Sequence, residues 1–227
     1  MVRNHEPYRS LPGEYSTDLV AAAALGFLDD AIAATDRPFF LGIAPIAPHS
    51  ETITSPGPAR FNAPVPAKRH EHLFPNVTVP RTPNFNPDTP GTASYFKTIR
   101  QLNLSEIEYN DDWYRKRLQS LQAVDELIDS VIERLSANPE VLGNTYLIYT
   151  TDNGYHIGQH RLPPGKSCGI EEDVNIPFFI RGQGIPKGAV QTIPSSHTDI
   201  VPTLFSLAGI PLREDFDGEL YQSRKIY

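Results

Sequence analysis

One cysteine in 227 residues, Cys168, leaves no partner for an internal disulfide and excludes a metal cluster built on several thiolates. Long apolar runs are missing too. Stretches such as Leu19 to Leu28 are too short and too rich in Ala and Gly to cross a bilayer, so no membrane span is expected. Basic character is scarce: 20 Lys and Arg stand against 27 Asp and Glu, giving a formal charge of −7 and a pI near 5.5. The densest basic run is only Lys68-Arg69-His70, which reads as a solvated loop. A nucleic-acid partner is therefore not expected. Met1 to Pro7 holds no apolar segment of the kind that opens a secretory signal.

What is present suits a soluble globular chain, with an apolar fraction of 39% and a mean hydropathy of −0.34. Its length is enough to bury a core. Proline is plentiful at 22 and concentrated between positions 45 and 90, which predicts a long loop there and no helix. Two tripeptides, Asn76-Val77-Thr78 and Asn103-Leu104-Ser105, have the form of glycosylation sequons. If they are used, a signal must lie upstream of this chain.

The Ala-rich segment over 18–35 follows the capping types Ser16, Thr17 and Asp18 and predicts a helix, with Leu25, Leu28 and Ile32 on one face. Phe39 to Ala44 reads as a buried strand. Leu118, Leu121, Val124, Ile128, Val131 and Leu135 recur at three- and four-residue steps, the pattern of a long amphipathic helix beginning near Glu106 and ending near Asn138-Pro139. Tyr146 to Thr151 and Ile176 to Ile180 read as further strands, and Asp199 to Leu207 as a short helix with Asp199 as its N-cap. Trp113 and Tyr114 read as helix-face packing. Alternating helices and strands predict an α/β domain with a mostly parallel central sheet.

In such sheets ligands bind beyond the C-terminal strand ends. Asp152-Asn153-Gly154 follows one strand directly, and Pro48-His49 follows another after a short turn, which predicts both at one rim. Asp152 and Asn153 offer adjacent hard oxygens suited to Ca²⁺ or Mg²⁺. An isolated Asp-Asn-Gly is as readily a tight turn. Here Gly158-Gln159-His160-Arg161, Gly165-Lys166 and the acidic run Glu171-Glu172-Asp173 come next in the same loop. His160 is open to two readings, a loop-bracing hydrogen bond or a substrate contact. Glu171 and Asp173 are expected to brace the loop by pairing with Lys166 or Arg161.

The run from Thr150 to Arg161, with Gly165-Lys166, Glu171-Glu172-Asp173 and Ile176-Pro177-Phe178, resembles the second signature region of sulfatases and is most similar to fungal-type arylsulfatases. The resemblance extends over nearly the whole chain. Phe39 to His49 resembles the family's strand leading into a Pro-His motif. His72 to Phe85 resembles a segment of arylsulfatases and glucosamine-6-sulfatases. His197-Thr198-Asp199-Ile200-Val201-Pro202-Thr203 resembles the family's His-x-Asp-x-x-Pro-Thr turn. Ile170 and Gln183 depart from the aromatic residue and the proline that related sequences commonly carry.

The resemblance implies an alkaline-phosphatase-like α/β sandwich. It implies Asp152 and Asn153 as metal ligands, Lys166 as a sulfate contact, and His49 near the sulfate and the leaving oxygen. The cofactor it implies is Ca²⁺ ahead of Mg²⁺, and the partner a small aryl or sugar sulfate. Sulfatases attack with a formylglycine made in a Cys/Ser-x-Pro/Ala-x-Arg motif. Cys168, followed by Gly169-Ile170-Glu171-Glu172, does not fit that motif, and no other position does.

The chain is accordingly expected to begin inside the sulfatase domain: residues 1–210 as a partial domain, and 211–227 as the truncated start of the C-terminal subdomain and its small sheet. Three functions stand as expectations. The first is a sulfuric ester hydrolase, secreted, endomembrane or vacuolar in its full-length form. The second is a catalytically inactive fragment or pseudoenzyme. The third is a phosphoryl-ester hydrolase of the same superfamily, against which the Asp-Asn pair weighs, since phosphatase relatives more often carry Asp-His.

Overall fold

The computed structural model describes residues 2–3, 6–7 and 13–221. Two compact units divide the chain, Met1–Ile180 and Arg181–Tyr227. The named elements are β1 (Val2–Arg3), β2 (Glu6–Pro7), α1 (Ser16–Ala33), β3 (Glu51–Ile53), β4 (Arg60–Asn62), α2 (Leu104–Ser136), α3 (Pro139–Gly143), β5 (Leu147–Thr150), α4 (Glu171–Val174), β6 (Phe178–Arg181) and α5 (Ile200–Leu207).

α2 is the backbone of the first unit. It starts where Asn103 accepts a hydrogen bond from the Glu106 amide while Glu106 reaches back to the Asn103 amide, a reciprocal cap that satisfies two orphan donors. Its C-terminal half buries Leu127, Val131 and Leu135 against Leu28 of α1. Each such side chain contributes about 1.5–3 kcal/mol on leaving water. The N-terminal half is different. There the buried positions include Asn110, Asp111, Gln119 and Ser120, which the apolar periodicity did not mark.

Two of them, Asp111 and Gln119, have partners in the proline-rich connection. Asp111 accepts from the Val79 amide at 2.9 Å and from Arg81 at 2.6 Å. Gln119 donates to the Glu71 and Leu73 carbonyls. These bonds hold the proline-rich connection on α2 without regular structure, since each supplies a partner that a helix or sheet would otherwise provide. Val79, Trp113 and Ile157 close a second small core there, so Trp113 packs as expected.

α1 is capped by Tyr15 with no side-chain bond, so Ser16, Thr17 and Asp18 lie inside its first turn. Asp18 is instead used across the helix pair. Arg69 donates to Asp18 at 2.7 and 2.9 Å and to Glu126 of α2 at 2.5 and 2.9 Å.

The chain is α/β as expected, and its sheet is partial. Among the described residues it consists of three two-stranded pieces, β1–β2, β3–β4 and β5–β6, of which the first two are antiparallel. Phe39 to Ala44 has no assigned secondary structure and pairs in no ladder among the described residues. Leu41 and Ile43 pack on the α1–α2 core while Phe40 is 81% exposed, so burial alternates along the segment as it does along a strand.

In the second unit, Ser196 and Asp199 form a capping box over the turn that leads into α5. Asp199 stands at the N-cap position of α5 as expected, but its side chain makes no capping bond there and closes the box of the preceding turn instead. Its other oxygen accepts from the Glu219 amide at 2.9 Å.

Candidate functional site

β5 delivers the chain to Asp152-Asn153-Gly154, and three sets of backbone contacts fix the loop beyond it. Gly154 and Tyr155 donate to the Asp173 and Glu172 carbonyls at 2.8 and 2.7 Å. Gly154 admits this approach because a Cβ there would lie 2.0 Å from the Glu172 oxygen. Next, His156 and Gly165 exchange hydrogen bonds of 2.9 and 3.0 Å, folding the loop back on itself. Finally, Asn86 donates to the Gly158 carbonyl and His160 to that of Asn84. The segment ending in Asn84-Phe85 is thereby laid along the loop. Gly158 takes a φ of +89°, and a Cβ on it would strike Phe85 at 2.3 Å.

The His156–Gly165 pairing brings Lys166 back beside the strand end. Its ammonium donates to Asn153 Oδ1 at 3.0 Å and lies 3.9 Å from Asp152 Oδ2. Asp152 accepts from the Asn153 amide at 3.0 Å, which orients the carboxylate along the loop. Asp152, Asn153 and Lys166 therefore meet in space.

His49 is exposed on a turn closed by its own amide to Ile46, with Nδ1 2.8 Å from the Ser50 carbonyl. Its link to the loop runs through Arg117 of α2. That guanidinium donates to the Pro48 carbonyl at 3.0 Å and lies 3.9 Å from the Tyr155 ring centroid. Burial pushes the Arg117 pKa down, opposed by Tyr155, and burial likewise pushes the Tyr155 phenol up, opposed by Arg117. Sequence reasoning passed over Arg117, although it stands four residues from Trp113 on the same helix face.

The acidic run does not pair as expected. Arg161 is buried and gives its donors to the carbonyls of Pro87, Ile99 and Asp88. Glu172 accepts from Asn84 at 2.5 Å and lies 3.7 Å from His160, whose ring also faces Phe96. Glu171 accepts from Asn175. Asp173 takes His156 as its partner, Oδ1 to Nδ1, at 2.8 Å. A guanidinium satisfied by three carbonyls has no need of a carboxylate, and the carboxylates turn to amides and imidazoles instead. The His156–Asp173 pair spans 17 residues and carries no spacing signal.

For a hard cation the donor chemistry at the strand end fits. Asp152 and Asn153 each turn an oxygen toward one positive charge, the Lys166 ammonium, and oxygens that share one cation can share another. The Asp152 side chain is 84% exposed, so water can complete the coordination of any ion held there.

The protein-family model described as "Sulfatase" matches residues 2–210. The chain is 60% identical over 219 residues to Sulfatase ppz1 of Metarhizium majus (strain ARSEF 297), covering 96% of this chain and 50% of that protein. It is 38% identical over 221 residues to an arylsulfatase of Volvox carteri, covering 91% of this chain and 34% of the relative. It thus spans half or less of these relatives' lengths. Among solved structures, a protein in complex with its substrate D-glucosamine-2-N,6-O-disulfate superposes with a TM-score of 0.72 at 21% identity. That match covers 91% of this chain and 51% of the other, and it shows a shared fold.

Proposed function

The chain belongs to the sulfatase family, and on that premise we propose that it is part of a sulfuric ester hydrolase in which it binds and polarises the sulfate group. The observation that carries this reading is the convergence of Lys166 with Asn153 and Asp152 at one strand end. Lys166 neutralises charge spread over the sulfuryl oxygens. Asn153 and Asp152 hold the ammonium in place and would also hold the divalent cation, Ca²⁺ ahead of Mg²⁺. When bound, that ion supplies Lewis-acid polarisation of the ester oxygens. His49, exposed at its turn, donates a proton or hydrogen bond to the departing oxygen. His160, standing between Glu172 and Phe96, borders the same loop as a substrate contact.

The family's attacking group is a formylglycine hydrate, and none of these residues replaces it. The 227 residues contain no motif from which it is made. The substrate is a small aryl or sugar sulfate, and the Volvox arylsulfatase supports the aryl class.

A secreted or endomembrane location accompanies this reading. Asn76 is exposed in a turn closed by Val77 on Phe74. Asn103 caps α2 through Oδ1, leaving outside the cap the Nδ2 that would carry a glycan. A mobility shift on glycan removal from protein made in a secretory host tests it.

The test of function is turnover of p-nitrophenyl sulfate with Ca²⁺. The 227-residue chain gives none above background, and a longer form carrying an in-frame Cys-x-Pro-Ser-Arg segment gives turnover that exceeds that on p-nitrophenyl phosphate. Turnover by the 227-residue chain that Lys166→Ala abolishes would require another nucleophile. Preference for the phosphate ester would overturn the assignment to sulfate.

A further inference from the structure

The loop that presents Lys166 to the strand end also carries, two residues on, a second group of donors with different chemistry. His156, Cys168 and Asp173 bring an imidazole nitrogen, the thiol sulfur and a carboxylate oxygen within 4.8 Å of one another. His156 is 4% exposed and Asp173 is 5% exposed. Asp173 is held on both oxygens, Oδ1 by His156 Nδ1 at 2.8 Å and Oδ2 by the Cys168 amide at 2.7 Å. Cys168 is half-buried, with its sulfur 3.1 Å from the Tyr95 hydroxyl, so the cluster has a dry floor and one open side.

The backbone turns between this cluster and the Lys166 ammonium. Ser167 takes a φ of +78°, a left-handed conformation that a residue with a Cβ adopts only under constraint. Lys166 on one side of Ser167 meets Asn153, and Cys168 on the other meets Asp173. The antiparallel pairing of His156 with Gly165 and the bonds from Gly154 and Tyr155 to the start of α4 fix all three donors to one frame. The sulfate-binding reading proposed above uses none of the three.

A buried His–Asp pair alone is an ordinary brace. The thiol changes the chemistry, because nitrogen, sulfur and a single carboxylate are the donors of a borderline-soft ion, unlike the all-oxygen pair at Asp152 and Asn153. We propose that His156, Cys168 and Asp173 bind a thiophilic divalent cation, Zn²⁺ foremost, at a site separate from the sulfate-binding corner.

Zinc–donor distances of about 2.0–2.3 Å place tetrahedral donors about 3.3–3.8 Å apart, so donors now within 4.8 Å of one another draw in by about 1 Å at most, while His156 Nδ1 and Asp173 Oδ1 part from their present 2.8 Å. The thiol releases its proton to solvent as the thiolate binds. Tyr95 O–H then donates to the bound sulfur as an outer partner, and water takes the fourth position. The bound ion ties the Lys166-bearing loop to α4.

Titration of the purified protein with Co²⁺ tests this, because Cys168 is the sole cysteine and any thiolate-to-cobalt charge-transfer band must come from it. One Co²⁺ per chain is expected, with a near-ultraviolet charge-transfer band that Zn²⁺ abolishes. Cys168→Ser removes the band, and Asp152→Asn retains it. No band in the wild type, or its loss in Asp152→Asn with the fold intact, overturns the site. Should Cys168→Ser fail to fold, alkylation of wild-type Cys168 decides: one equivalent of Zn²⁺ slows it at least tenfold, and equal rates with and without Zn²⁺ refute the proposal.

Discussion

The Cβ that Gly154 lacks would stand 2.0 Å from the backbone oxygen of Glu172, so the strand end that presents Asp152 and Asn153 is locked to α4 by the absence of a side chain. The obstacle is backbone, which cannot swing away as a flexible side chain can. Gly154→Ala should cost about 3 kcal/mol or more in unfolding free energy, at the upper end of overpacking effects. Chemical denaturation measures it. A cost below about 1 kcal/mol would mean the two segments separate easily.

Arg69 makes a second prediction through Asp18 and Glu126. Hydrogen bonds from Arg69 hold both carboxyls below their ordinary values of 3.8 and 4.5, and Glu106 is held down to about 2 chiefly by Arg100. A carboxyl depressed in the folded state stabilises above its unfolded pKa and loses that contribution as pH falls through its folded value. Thermal stability should therefore decline as pH falls from about 5 toward 2. Arg69→Met should flatten part of that slope. The groups are largely exposed, so added salt should weaken the effect too. An unchanged slope in Arg69→Met would show the network to be energetically silent.

Arg117 ties the His49 turn to Tyr155. Replacing it with Met removes the donor to Pro48 and the cation on the ring, at an expected cost of about 1–3 kcal/mol. Arg117 opposes the burial that raises the Tyr155 pKa, so the phenol should titrate higher still in Arg117→Met. Ultraviolet titration of the tyrosines reads this directly. A downward shift would contradict the geometry.

The helices were legible because their signals are local. α1 and α2 rest on a repeating apolar face, and Glu106 three residues after Asn103 marks the start of α2. The meeting of Asp152, Asn153 and Lys166 was anticipated by resemblance, and its cause became visible only as the His156–Gly165 pairing. Phe39 to Ala44 misled because a short apolar run reports burial and says nothing of a ladder partner. The partners of Asp173 and Arg161 were not legible. They lie 17 and more than 60 residues away, distances at which only the folded chain decides who meets whom.

Everything proposed for the sulfate corner turns on Lys166, held by Asn153, as the charge that receives a sulfate group. Calorimetric titration of the 227-residue chain with p-nitrophenyl sulfate, with and without Ca²⁺, measures this most directly. Binding that Ca²⁺ strengthens is expected, and Lys166→Ala should weaken it about 10- to 100-fold, the loss of one hydrogen bond to a charged group. Equal affinity in wild type and Lys166→Ala would contradict that role and move sulfate recognition elsewhere on the chain.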